Sequence, residues 1–298
     1  MKTTRFYLYI TICALFSATF TACDKDIHEN DRHGLAVGME WLEGIEPTDI
    51  TSPVNLWIYD AEGHEVEAHE FSSPQELASG LFSLPEGDYT LVGVCGLTEP
   101  FRYDYENGTR TADMLRVSLA DPSASPAHAV GGVAGVRVTD TGVNLRSVIR
   151  VAPLLAELAV RIDGVPEGAS LAVTVRNAAT CLYPARRGDD NSYVVPSAEK
   201  TDALLPQAIA DGGTLSTDAR LMPTAQGEAC TMLYLVMTFA DGSRHEYMAE
   251  APLMLAGKRY ELALEYDRMQ PYMYITATDI NPWGEGWITS DDIFNPGI

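Results

Sequence analysis

The cysteines carry the first chemistry that the sequence offers. There are five, Cys13, Cys23, Cys95, Cys181 and Cys230. Cys23 stands where a thiol can be used covalently. It closes a run that opens with Met1, Lys2 and Arg5, continues as an apolar stretch from Phe6 to Phe20 and ends on the small residues Thr21 and Ala22. Basic, apolar, then small is the order of an export signal, and the apolar part is too short for a membrane-spanning helix. A cysteine at the cleavage point can carry diacylglycerol on its thiol and become the lipidated first residue of the processed chain. Cys13 then leaves with the leader. Cys95, Cys181 and Cys230 remain, an odd number whose spacings match no metal-site pattern. A bridge between Cys181 and Cys230 and buried thiols on strands both stay open.

Constellations for catalysis or metal binding are sparse. His64 and His69 have Glu65, Glu67 and Glu70 around them. That set holds a metal only if its ligands converge on one face, and a solvated hairpin uses the same residues. Asp104, Glu106 and Asn107 offer oxygen ligands without the spacing of an EF-hand loop. The pairs Asp189-Asp190 and Asp291-Asp292 sit in polar, loop-like surroundings, and among 42 acidic residues adjacent ones arise by chance. Neither His-Glu-x-x-His nor Gly-x-Ser-x-Gly occurs, and no cysteine has a matching histidine. Gly131, Gly132 and Gly135 lack the spacing and the following Lys-Ser/Thr of a phosphate loop, so they predict an irregular strand with bulges. The expectation is a protein that is not an enzyme, with no cofactor and no metal.

Rings offer a binding surface instead. Phe101, Tyr103 and Tyr105 alternate in a loop-like segment, and Trp283 and Trp287 flank Gly284 and Gly286. Such rings can build a platform for a glycan or a protein. Trp57 and Tyr59, opposite Leu56 and Ile58, read as filling the second face of a sheet or a contact between domains.

The elements that must position these residues are short and extended. The 46% hydrophobic fraction is that of a globular chain. Strands are predicted at 35–41, 54–60, 66–71, 89–95, 114–119, 130–138, 144–151, 156–163, 171–176, 215–222, 230–239, 245–249 and 258–266. One helical turn is predicted at 74–78, and 197–213 reads as loop or short helix. Asp241-Gly242 is a hairpin signal. In Pro85-Glu86-Gly87-Asp88 the proline fixes φ and the glycine is expected at positive φ. No helical period lasts beyond two turns, so the class is all-β, two β-sandwiches in tandem. The expected divisions are a signal peptide at 1–22, the lipidated cysteine and a tether at 23–34, sandwiches at 35–143 and 144–267, and an edge strand or extension at 268–298. The formal net charge is −22, and Lys2 and Arg5 leave with the leader. Nucleic acid and anionic lipid surfaces should both repel such a body. Acidity of this kind suits solubility on a crowded cell surface.

Several stretches together resemble a known family. Phe20-Thr21-Ala22-Cys23 resembles a bacterial lipobox, with Phe20 where Leu is usual. Asp24-Lys25-Asp26 follows it, as acidic residues do on lipoproteins sent to the surface of such bacteria. Then come Val37-Gly38-Met39-Glu40-Trp41, the strand ending in Asp60-x-x-Gly63, Leu84-Pro85-Glu86-Gly87-Asp88-Tyr89-Thr90-Leu91-Val92, and Leu255-Ala256-Gly257-Lys258-Arg259-Tyr260. In this order they resemble the FimB-like, fimbrillin-A-associated anchor and minor subunits of Bacteroidales fimbriae. Gly87, Tyr89, Gly257 and Tyr260 carry its turn-strand motif. The resemblance implies two transthyretin-like sandwiches on a palmitate-bearing outer-membrane anchor, probably the cell's exterior face, with fimbrillins as partners and adhesion as the role. The alternative from another class is a surface glycan-binding lipoprotein of a polysaccharide-uptake system, using the aromatic platform.

Overall fold

The structure is a computed structural model and describes residues 34–43, 50, 52–122, 124–139, 144–186, 194–269, 272–274 and 287–288. Cys23, the leader, the tether, Trp283 and both acid pairs lie outside these residues. Trp287 is described through its backbone alone.

Alternating apolar and polar residues give strands nearly everywhere. In the first half these are β1 (Leu35–Trp41), β2 (Val54–Tyr59), β3 (Glu65–Phe71), β4 (Gly87–Cys95), β5 (Phe101–Tyr105), β6 (Leu115–Leu119), β7 (Val130–Val138) and β8 (Leu145–Pro153). There follow β9 (Ala156–Asp163), β10 (Ser170–Ala179), β11 (Cys181–Tyr183), β12 (Val195–Pro196), β13 (Lys200–Leu204) and β14 (Ala208–Ile209). The last are β15 (Thr214–Leu221), β16 (Thr231–Thr238), β17 (Arg244–Ala251), β18 (Arg259–Glu265), β19 (Tyr272–Tyr274) and β20 (Trp287–Ile288). Helix α1 (Pro74–Ser79) starts because the Ser73 hydroxyl accepts the Glu76 N–H at 3.2 Å and Pro74 needs no N–H there. It buries Leu77 and ends at Gly80.

The strands form two sandwiches. In the first, a six-stranded sheet ordered β1-β8-β7-β4-β2-β3 faces a four-stranded one ordered β12-β11-β6-β5. Trp57, Tyr59, Val92 and Val94 of the larger sheet share a core with Phe101, Leu115 and Val117. On its other face Leu56, Ile58 and Leu91 pack with Val37, Ile149 and Leu77. All six residues of β2 are therefore buried, and Trp57 and Tyr59 do fill the second face. The second sandwich sets β15-β9-β18-β20 against β13-β10-β16-β17-β19, with β14 also on β10.

Sheet membership divides the chain differently from its sequence periodicity. β8 pairs in parallel with β1, from Leu35↔Leu145 to Trp41↔Val151, so the first sandwich extends to Pro153. A parallel partner must come from far along the chain, and that distance hides it from local pattern. One residue after β10 the same run of chain becomes β11, which pairs with β6 through Cys181↔Ser118 and Leu182↔Val117. A single stretch thus serves a sheet in each sandwich.

Four local expectations are corrected. The segment holding Phe101, Tyr103 and Tyr105 is strand β5 and not loop, because its period-two alternation pairs in full with β6. Residues 197–213 contain β13 and β14 on the edge of β10. β7 carries no bulge: it pairs with β4 from Gly87↔Val138 to Cys95↔Val130 without a register shift. Gly87 does not adopt positive φ; it opens β4, where a Cβ would meet the Tyr89 ring at 3.4 Å. The Asp241-Gly242 hairpin is present, with Gly242 at φ +83 and the Asp241 carboxylate accepting the Ser243 N–H at 2.9 Å.

Candidate functional site

The glycines of β7 mark the most open main chain in the first sandwich. On the side away from β4, β8 pairs with β7 only at Val130↔Pro153 and Gly131↔Ala152. It then crosses the sheet face so closely that a Cβ on Gly132 would stand 2.0 Å from the Arg150 carbonyl oxygen. A Cβ on Gly93 would stand 2.4 Å from Met39 Cε. Small residues let one pair of strands lie on another. Beyond the crossing, Gly132–Val138 has no ladder partner on that side among the described residues. A shallow groove of about 550 Å³ adjoins it, lined by Ala61, Asp88, Tyr89, Thr90, Gly135 and Arg137. Arg137 grips the Asp88 carboxylate with two bonds, Nε–Oδ1 at 2.5 Å and Nη2–Oδ2 at 2.8 Å, which holds that carboxyl below its usual range. Unpaired N–H and C=O groups beside a groove are what an added strand needs.

Beside the β2–β3 turn a polar chain runs from the core outward. The Tyr59 and Tyr105 hydroxyls lie 3.1 Å apart, Tyr105 donates to the Glu65 carboxylate, and Arg110 Nη1 donates to Glu65 at 2.8 Å. Burial drives both phenols well above their ordinary pKa, helped for Tyr59 by Tyr105 and for Tyr105 by Glu65. Neutral, mutually bonded hydroxyls of this kind fasten β2 and β3 to β5; they supply no base.

The predicted aromatic surface is mostly not available as a platform. Phe101 is 7% exposed and belongs to the core. The Tyr105 hydroxyl is committed to Glu65. Tyr103, 45% exposed, sets its ring edge-on against Trp57 with centroids 5.1 Å apart. Trp287 lies in β20, beside Leu262 of β18. The motif residues behave as anchors of turns. Tyr89 donates its hydroxyl to the Pro85 carbonyl at 3.0 Å. The Tyr260 hydroxyl donates to the Leu253 carbonyl at 2.8 Å and accepts the Leu255 N–H at 2.9 Å, and Gly257 between them has φ +73.

The remaining chemical candidates are engaged elsewhere. His69 pairs with Glu67 at 2.8 Å, and His64 lies 3.8 Å from Asp60. Asp104 is held by Arg116 and Glu106 by Arg186 at 3.1 Å. No group of three or more His, Cys, Asp or Glu suited to a metal occurs among the described residues. Cys95, Cys181 and Cys230 are all free thiols. Sequence reasoning missed the open edge of β7, whose only signal was its run of glycines.

The class that this fold defines is an all-β protein of two β-sandwiches. The model of the fimbrillin-A associated anchor proteins Mfa1 and Mfa2 matches residues 24–289, and the chain belongs to that family. No curated protein matches the sequence. Among solved structures, the fimbrial anchor protein Mfa2 from Porphyromonas gingivalis is similar at 11% identity and TM-score 0.55, over 78% of this chain and 90% of that one. A candidate adhesin from Bacteroides ovatus is similar at 12% identity and TM-score 0.54, over 82% and 89%. A candidate polysaccharide-binding protein from Bacteroides thetaiotaomicron is similar at 13% identity and TM-score 0.51, over 81% and 91%. Membership in this family associates the chain with cell-surface fimbriae and adhesion, a non-enzymatic kind of protein.

Proposed function

We propose that this chain is a lipid-anchored fimbrial subunit of the outer membrane, facing the cell exterior and serving as anchor or accessory component. The observation that carries the proposal is the family match, which begins at residue 24, directly after Cys23. Each buried methylene of an acyl chain contributes about 0.8 kcal/mol, and more than one chain makes attachment stable. The second half of the role is to receive another subunit. The open Gly132–Val138 edge and its groove suit an incoming strand, whose main-chain bonds would give affinity while the groove selects side chains.

Replacing Cys23 with Ala tests the anchor. The expected outcome in cells is loss of palmitate labelling and transfer of the body from the membrane to the soluble fraction, with fimbriae detached. Labelling that persists in the variant overturns the proposal.

A further inference from the structure

A sandwich sheet that buries one face normally turns polar residues to water on the other. The sheet of β15, β9 and β18 does so. Its outer face carries the pairs Arg220–Glu157 and Arg161–Asp163, each at 2.9 Å, with Asp218 and Glu261 exposed beside them. The opposing sheet departs from this rule. Its register sets Leu204 of β13, Thr174 of β10, Tyr234 of β16 and Met248 of β17 in one row across four strands. Ala172 and Val236 form the next row. The alternate residues Val175, Leu233 and Ala249 are buried in the core, so these rows lie on the outer face. At the β13–β14 edge Leu204 is 46% exposed and Ile209 72% exposed. Arg176 lies over the Tyr234 ring at 4.7 Å, and the Tyr234 hydroxyl donates to Glu246.

Nothing in the needs of the fold explains an apolar outer face on one sheet and a salt-bridged one on the other. We infer that the outer face of β13, β10, β16 and β17 docks a protein whose contact patch is apolar at its centre and edged with lysines or arginines. Contiguous apolar surface of this kind marks interaction sites. Methionine adapts to a partner, and a tyrosine held by arginine is an anchor of the type that dominates interface energy. Charge selects the occupant. Asp202, Glu246 and Glu250 rim the rows, and the chain carries a net charge of −22. A second copy would bring the same acidic rim and the same net charge, so like charges would meet. A cationic rim is complementary. The inference rests on the proposed fimbrial role only in expecting the partner to be another subunit.

The test places a photo-crosslinking residue at Val236 in the full chain in its own cells, with Ser216 on the polar sheet as control. The expected result is one discrete adduct at Val236 and none at Ser216, the crosslinked peptide of the partner containing Lys or Arg. Glu246→Lys combined with Glu250→Lys should weaken the adduct about tenfold, as should raised salt. No adduct at Val236, equal adducts at both positions, an adduct between two copies, or indifference to charge reversal overturns the inference. A non-fimbrial partner with the expected basic peptide upholds the surface and overturns the fimbrial role. Fimbrial subunits that still co-purify undiminished with folded Val236→Asp protein do the reverse.

Discussion

The carbonyl oxygen of Arg150 sits where a side chain on Gly132 would begin: a Cβ built there lies 2.0 Å from it and 2.8 Å from the Arg150 carbonyl carbon. This contact lets β8 leave the ladder and lie across the sheet with β1. Because the obstacle is backbone, it cannot swing aside as a side chain would. Gly132→Ala should therefore destabilise the protein by about 3 kcal/mol, the upper part of the overpacking range. Gly135→Ala, three residues along the same strand, meets nothing within 4 Å and should stay within about 0.5 kcal/mol of the parent. Denaturant midpoints of the two variants check the difference. A Gly132→Ala protein as stable as Gly135→Ala would mean that β8 does not cross there.

How much of this was legible beforehand depends on the range of the interaction. Val54–Tyr59 and Ala156–Asp163 declare themselves as strands because the alternation and its turn residues are local. The same locality hid β5, since Arg102 and Asp104 between the rings read as a polar loop until β6 is seen to pair with them. The place of β8 beside β1 depends on residues over a hundred positions apart, and no local pattern encodes it. The aromatic residues were recognisable as important, but not as structural. Whether Tyr105 faces water or Glu65 is decided by a contact forty residues away.

Tyr260 gives the clearest test of a motif residue. Its hydroxyl closes both the Leu253 carbonyl and the Leu255 N–H into the turn that Gly257 completes, and the ring is buried. Tyr260→Phe keeps the ring and strands two main-chain groups, so a loss of about 1–3 kcal/mol is expected. Tyr89→Phe removes one bond, to Pro85, and should cost about 0.5–1.5 kcal/mol. Thermal or chemical unfolding ranks them. Equal, negligible losses would show that the two hydroxyls do not hold their turns.

The Tyr59–Tyr105 pair predicts sensitivity to alkali. Both folded pKa values are raised, by burial first, while an unfolded tyrosine ionises near pH ~10. Above that pH the unfolded chain binds fewer protons than the folded one, so stability falls as pH rises. The contribution is complete below about pH 10 and is lost progressively above it. Tyr59→Phe should be about 0.5–1.5 kcal/mol less stable at neutral pH, yet decline less steeply in alkali. Unfolding midpoints measured from neutral to strongly alkaline pH test this. Parallel declines for parent and variant would remove Tyr59 from the account.

The three thiols of the folded body should differ sharply in reactivity. Cys95 is wholly buried with its Sγ 3.2 Å from Met39 Sδ, and burial pushes its pKa up to about 12. Cys181 is buried on β11. Cys230 is half-buried, and its pKa is raised by burial and then by Glu250 and Glu228, so even this thiol should alkylate more slowly than a free one. Near neutral pH an alkylating reagent should mark Cys230 alone, with Cys95 and Cys181 following only on denaturation. Peptide mass spectrometry after timed labelling reads the order directly. Because no bridge is formed, Cys230→Ser should change stability by less than about 0.5 kcal/mol. A disulfide-linked Cys181–Cys230 peptide, or Cys95 labelled as fast as Cys230, would contradict the packing that keeps these strands closed.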